Sequence, residues 1–453
     1  MIARVSRAAR SCLIAMCLVH GPVLGAGFAI DFIGARSIGA ATADGAAAAD
    51  AATLFTNPAG LAYLDADQWI VGSDVFLFRD RFSDSGSTIL GGALPTPGTN
   101  GADAIPTTAV PWIFGSHRIN DRLAIGLGIT APFGLKTDYG NDFVGRYQNV
   151  LSSITVLDVN PAIAYRAAEW ITLGAGVSAQ YASARLTQAI DFGTICLAAL
   201  APATCAGAFG LVPGRSDGYT SLDAHDVAIG FNAGVMMEPR KETRLGISFR
   251  SSVHHHFDDA QQRFDVPAGA RALLAAGGTP DALTGGSAST SLTLPARMSF
   301  AWREELTRKV RLFASATRTL WHVFDNTVVT PHDPATGAAV SIEQGYRDAW
   351  RFAVAADYAL SDRWTPRGGI AYDETPIPAR LTQAALPDRD RTYLTTGLSY
   401  TDPSSKWLWD VGYSYVRYAG RIPINRAGLT GDTLRGTFDV GGHVVAAQIV
   451  RRY

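Results

Sequence analysis

The chain has 453 residues, a formal net charge of −1, only 17% charged residues and 46 glycines. Near-neutrality leaves no electrostatic footprint for nucleic acid or another polyanion. Mild overall hydrophobicity argues against a bundle of membrane helices, and the length admits two or three ordinary domains or one large β structure.

The N-terminus reads as an export signal. Arg4, Arg7 and Arg10 form a positive region, Cys12 to Val19 a short apolar core, and Val23-Leu24-Gly25-Ala26 a small-residue exit. Residues 1–25 are predicted to be removed, with cleavage after Gly25. Export leaves Cys196 and Cys205 as the mature cysteines, nine apart in an Ala/Pro/Gly-rich segment. In an oxidising compartment they are expected to form a local loop disulfide, two free buried thiols being the alternative.

Residues 26–67 do not alternate. Gly34, Gly39 and Gly45 punctuate them, and an Ala-rich run predicts a helix from about Ala46 to Phe55. Asn57-Pro58 follows and is expected to end that helix, because the proline ring disfavours the α conformation at the residue before it.

From Gln68 onward the chain keeps returning to period two, the mark of strands with unlike faces. Ile171, Leu173, Ala175, Val177, Ala179 and Tyr181 share one face; Thr172, Gly174, Gly176, Ser178, Gln180 and Ala182 share the other. Trp407, Trp409, Val411, Tyr413 and Tyr415 oppose Leu408, Asp410, Gly412, Ser414 and Val416 in the same way. About fourteen such strands are predicted. Their connections alternate long and short, with short turns at Asn120-Asp121, Ala168-Glu169, 239–242, 303–308, 361–363 and 403–406. A soluble sandwich has no reason to gather its long loops at one end, whereas an outer-membrane barrel does. Trp170, Trp364, Trp407 and Trp409 stand beside short turns, the level where a ring with one apolar and one polar end sits well. The chain ends on Tyr453, whose outward row is interrupted by Arg451. The fold class predicted is an all-β transmembrane barrel (68–453) with an N-terminal, partly helical plug (26–67) in a lumen too wide for wall side chains to fill.

The segment "AGFAIDFIGARSIGAATADGAAAADAATLFTNPAGLAYL", with the later "APFGLKTDYG", "VNPAIAYR", "GYRDAWRFAVAADY", "GGIAYDETPIPA" and "LPDRDRTYLTTGLSY", resembles the FadL-type outer-membrane transporters of long-chain fatty acids and other hydrophobic compounds. The resemblance covers essentially the mature chain. It implies an Asn-Pro-Ala motif in the plug, matched by Asn57, Pro58 and Ala59, and no enzymatic activity or cofactor. It implies a multi-pass protein of a Gram-negative outer membrane, surrounded by lipopolysaccharide and expected to be monomeric. The implied route is capture at outer loops, passage to an apolar pocket above the plug, and sideways exit where the third strand bends inward. Here that strand carries Gly128, Pro132 and Gly134, and proline belongs only at edges or bulges of a sheet.

Candidate head-group ligands are Arg185 in "YASAR" and Arg347 in "GYRDAWR", at basic positions of the matching family segments. Arg351 and Arg391 are further candidates, and Phe28 lines the pocket by resemblance. An aromatic hydrocarbon is the alternative substrate to a long-chain fatty acid. An outer-membrane lipase or esterase, or a structural or adhesin barrel, is the alternative of another class. No Gly-x-Ser-x-Gly elbow, phosphate loop, Cys-x-x-Cys or His-Glu-x-x-His is present. His254-His255-His256 resembles a metal site, but strand neighbours point to opposite faces, so no metal is predicted.

Overall fold

In the computed structural model the residues described are 27–101, 103–333 and 338–453. The expected signal segment, residues 1–25, lies outside them. The wall strands are β1 (Gln68–Asp84), β2 (Thr108–Arg118), β3 (Leu123–Asp138), β4 (Leu151–Ala168), β5 (Ile171–Asp191), β6 (Asp217–Arg240), β7 (Thr243–Arg250 continued by Val253–Asp265), β8 (Gly286–Leu294 continued by Arg297–Glu305), β9 (Val310–Thr319), β10 (Ala349–Tyr358), β11 (Trp364–Asp373), β12 (Arg391–Thr401), β13 (Trp407–Tyr418) and β14 (Thr433–Arg452). All neighbours are antiparallel. Pairing of β1 with β14, from Gln68↔Arg452 to Asp84↔Gly436, closes a 14-strand barrel.

Burial runs opposite to that of a soluble protein. In β13 the exposed row is Trp407, Trp409, Val411, Tyr413 and Tyr415, while Asp410 and Ser414 are buried. Asp74, Asp158 and Gln180 are likewise buried in the lumen, with Val177, Val227 and Ile229 exposed outside. Apolar rows on the outside and polar rows inside are what lipid and a filled lumen demand. Arg451 interrupts the outer row at little cost because its guanidinium stacks over Trp407 at 4.6 Å and Tyr453 at 5.3 Å.

The wall reaches further on the long-loop side than the alternation indicated. Alternation fades over residues 132–157, the stretch expected from the sequence to be one long connection, yet β3 runs to Asp138 and β4 begins at Leu151. Outside the bilayer both strand faces meet polar surroundings, so the apolar row that marks a strand fades while the hydrogen-bond ladder continues. β5 and β6 extend in the same way, to Asp191 and from Asp217.

The plug fills the lumen. Its helical pieces are α1 (Ala35–Gly39), α2 (Thr53–Thr56) and a 3₁₀ turn over Pro58–Tyr63. The helix expected over Ala46 to Phe55 is therefore corrected to a series of turns ending in a single helical turn. Ala41, Thr42 and Ala48 take positive φ, and the Gly45 α-carbon packs closely enough that a β-carbon there would lie 3.2 Å from Ala301 of the wall. Close packing against small wall residues overrides the helical preference of alanine. Among the described residues three further α-helices stand in the long loops: α3 (Phe192–Ala199), α4 (Pro202–Ala208) and α5 (Ala268–Ala276). A disulfide between Cys196 and Cys205 joins α3 to α4, and its sulfurs are buried against Phe192, Leu211 and Ala270.

Candidate functional site: a lumen cavity, its plug and a break in the wall

Asn57 sits in extended backbone (φ −158°) between α2 and the 3₁₀ turn. Its Oδ1 accepts from Ala59 N at 3.1 Å, capping the turn that Pro58 opens. Its Nδ2 donates to two wall carbonyls, Val235 of β6 at 3.1 Å and Ile247 of β7 at 3.2 Å. One buried amide thus ends α2, starts the next turn and ties the plug to two strands. A second Asn-Pro-Ala, at Asn160, has a different use: Asn160 and Asn232 exchange side-chain hydrogen bonds at 3.1 Å across the lumen wall.

Four arginines of the wall also anchor the plug, beside Gln68, Thr395 and Gln448. Arg351 donates to the carbonyl of Ala41 at 2.8 Å and to the Thr42 hydroxyl. Arg166 donates to Ala62 O at 3.0 Å, Arg244 donates to Ala47 O at 2.9 Å, and Arg297 pairs with Asp31. The positive φ at Ala41 and Thr42 turns their polar groups toward Arg351.

Above the plug lies a cavity of about 460 Å³. Phe28, Leu186, Leu222, Phe257, Leu292 and Phe324 contribute apolar surface, and Gln148, Asn149, Gln262 and Gln344 supply amides. Among the described residues no charged side chain lines it. Phe28 is buried at the cavity's plug end, edge-on to Trp321 at 4.9 Å and Phe324 at 5.5 Å. Trp321 carries no distinguishing signal in the sequence, where it is one more aromatic beside a loop.

The arginine candidates are distributed differently from the expectation. Arg185 is on the outward row of β5, paired with Asp223, which also holds Arg263 at 3.2 Å. Arg347 is exposed in the loop before β10, where its backbone N–H donates to Pro376 O at 2.9 Å. Neither lines the cavity. Arg351 is inside the barrel but engaged by the plug, and buried Arg391 pairs with Asp388 at 3.1 Å and approaches Asp373 at 3.7 Å. The reason is parity: a basic residue at a matching position faces the lumen only if its strand register puts it there. His255 is buried beside Asp226, His254 bonds to Thr293, and no group of metal-ligating side chains forms among the described residues.

The ladder between β2 and β3 is short. β2 and β3 pair only from Ile113↔Ile129 to Arg118↔Ala124. Past Ile129, β3 leaves β2 and stays with β4, with a bulge between Thr130 and Phe133 that contains Ala131 and Pro132. Proline supplies no ladder donor there, so the bulge is its natural place. Gly128 and Gly134 supply no unusual backbone angle, for neither has a positive φ. Gly128 is in regular pairing, and a β-carbon there would press on Phe114 at 2.9 Å and Leu54 of the plug at 3.3 Å. The edge that β3 loses from β2 is covered by the plug: Ile30 N donates to Pro132 O at 2.8 Å and Gly134 N donates to Phe28 O at 3.0 Å.

Residues 16–453 match the model of a family described as outer membrane protein transport protein (OMPP1/FadL/TodX). The chain belongs to that family. It is 28% identical to the long-chain fatty acid transport protein of Salmonella typhi over 416 residues, covering 89% of this chain and 90% of that one. It is 27% identical to outer membrane protein P1 of Haemophilus influenzae, covering 89% and 88%. Among solved structures it is similar to a FadL homologue of Pseudomonas aeruginosa, with a TM-score of 0.85 at 24% identity over 94% of this chain and 100% of that one. The toluene transporter TbuX of Ralstonia pickettii gives 0.60 at 22% identity, over 89% and 94%. These structural likenesses carry the fold. The family makes this a non-enzymatic outer-membrane transport protein.

Proposed function

We propose that the protein is a passive uptake channel in which a hydrophobic molecule is captured at the outer loops, held in the cavity above the plug, and released sideways through the break between β2 and β3. Burial of each methylene in a dry cavity is worth about 0.8 kcal/mol, enough to draw such molecules out of a polar outer layer. The observation that carries the substrate reading is the uncharged cavity lining. An ionised carboxylate buried there meets amide and hydroxyl donors but no cation, and is disfavoured against an uncharged molecule. Of the two substrate classes, an uncharged hydrophobic compound such as an aromatic hydrocarbon therefore fits this cavity better than a fatty-acid anion. Lateral exit is supported by the coincidence of three features: the edge of β3 that β2 leaves, the bulge at Pro132, and the cover of that edge by plug residues 28–30.

The test is uptake of labelled toluene and labelled oleate by a host lacking its own transporters. Rescue of toluene uptake, saturable and independent of pH, is expected. Failure to rescue either compound, with the barrel present in the outer membrane, overturns the transport reading. Rescue of oleate alone overturns the preference for uncharged substrates.

A further inference from the structure

The wall is unzipped in a second place. β6 and β7 pair from Asn232↔Arg250 to Arg240↔Thr243, and again from Asp223↔Gln261 to Tyr219↔Asp265. Between these stretches residues 224–231 of β6 and 251–260 of β7 share no ladder. β6 keeps its ladder with β5 through this stretch, while β7 carries two extra residues and a bulge against β8 between Phe257 and Ala260, so it is β7 that bows away.

What spans the seam is mostly side chain. Phe231 and Ser251 close its lower end, through Ser251 N to Phe231 O and Phe231 N to Ser251 Oγ, both at 2.9 Å. In the middle, Asp226 Oδ2 accepts from His256 N at 3.3 Å and lies 3.0 Å from His255 Nδ1. The far nitrogen of that ring, His255 Nε2, is buried with no hydrogen-bond partner among the described residues. A buried strand edge sealed by one carboxylate, with an orphaned imidazole nitrogen beside it, is a weak point in a wall whose ladder is otherwise its strength.

The seam has the surroundings a hydrophobic passage needs. Inside, Ala224 of β6 and Phe257 of β7 flank it and line the cavity. Outside, it opens between Val227, Ile229 and Phe231, which are 67%, 73% and 53% exposed to the surrounding lipid. Continuous pairing links it to the first break: Phe133 pairs with Val156, Val156 with Ala182, and Ala182 with Asp226. Both breaks thus border one cavity, with β3 to β6 between them.

We propose that the seam between β6 and β7 is a second lateral opening, through which uncharged hydrophobic molecules pass between the cavity and the bilayer, with Asp226 and His255 as its latch. This rests on the lateral-release reading. The two openings are separated by closing each in turn. Deleting Pro132 restores a one-to-one count of β3 against β4 and closes the first; Ala228→Trp fills the second from the β6 side. Toluene uptake is measured in the parent, each variant and the double variant, all verified as folded barrels by heat-modifiable migration. The expected result is that uptake survives deletion of Pro132 and falls to the empty-host level in the double variant. Asp226→Ala, which removes the latch without adding bulk, is expected to raise uptake in the Pro132-deleted background. If deletion of Pro132 alone abolishes uptake and Asp226→Ala does not restore it, the second opening is overturned and lateral release stands. If the double variant still takes up toluene at the parent rate, lateral release itself is overturned.

Discussion

The main-chain N–H of Gly134 in β3 donates to the carbonyl of Phe28 at 3.0 Å, so the first described turn of the plug serves as the missing neighbour of the broken strand. The same residue closes the cavity, through its ring against Trp321 and Phe324. Displacing Phe28 therefore opens the cavity floor and uncovers the β3 edge in one movement. Phe28→Ala removes a fully buried ring, a loss of about 3–5 kcal/mol in packed cores. The N-terminal segment is expected to become protease-sensitive while the barrel keeps its heat-modifiable migration. Unchanged protection of that segment would show that the backbone bonds alone hold it.

Asn57→Ala is expected to loosen the plug more than any exposed substitution, because it strips a cap and leaves the buried carbonyls of Val235 and Ile247 short of a donor. Each unsatisfied buried group costs roughly 1–3 kcal/mol. Asn57→Asp keeps the cap but sets a carboxylate against those two carbonyls, and should be at least as damaging. Hydrogen exchange across residues 28–64 reads the effect; protection equal to the parent in both variants would make the motif incidental.

Arg185→Ala and Arg347→Ala should leave uptake within about twofold of the parent, as expected for exposed positions away from buried networks. Arg351→Ala should instead destabilise the plug, since the carbonyl of Ala41 loses its buried donor. A specific loss of oleate uptake in Arg185→Ala or Arg347→Ala, with toluene unaffected, would restore a head-group role to that side chain.

Plug docking is expected to weaken as pH rises. Burial lifts the Asp44 carboxyl from 3.8 to about 6, against the opposing hydrogen bond from Ser37. The docked plug holds the proton more tightly than an undocked one, so the contribution is fully present below the ordinary value and is lost as pH passes through about 6. Protection factors of the plug amides measured at about pH 4 and about pH 7 should differ in the parent and converge in Asp44→Asn.

The Cys196–Cys205 bridge closes a short loop whose sulfurs are already buried. Alkylation of the intact protein without reductant should add no label. The paired Cys196→Ser/Cys205→Ser variant should increase proteolysis between α3 and α4, by a loop-closure effect of roughly 2–3 kcal/mol in the chain-entropy model, without moving the melting of the barrel. Two labelled thiols would refute the bridge.

The architecture was readable along the chain because a lipid-facing wall imposes one rule on every strand. Trp407 to Tyr415 had to alternate with Asp410 and Ser414, and the connections had to alternate in length whatever each strand paired with. Asn57-Pro58 was readable as a break for an equally local reason, the clash that proline imposes on its predecessor. Pro132 marked the fault in β3 because a missing donor is a property of the residue itself.

What the lumen residues do was settled across the barrel, by contacts that no local pattern encodes. Arg185 and Arg351 are both arginines on alternating strands, and only register turns one outward to Asp223 and the other inward to Ala41. The Ala-rich run has helical propensity throughout, yet small wall residues such as Ala301 allow a closer packing of turns. The seam at Asp226 lies between β6, whose residues 224–231 alternate, and β7, whose residues 254–260 do not. Its fault is in the pairing, and pairing is a relation between two segments that neither one contains.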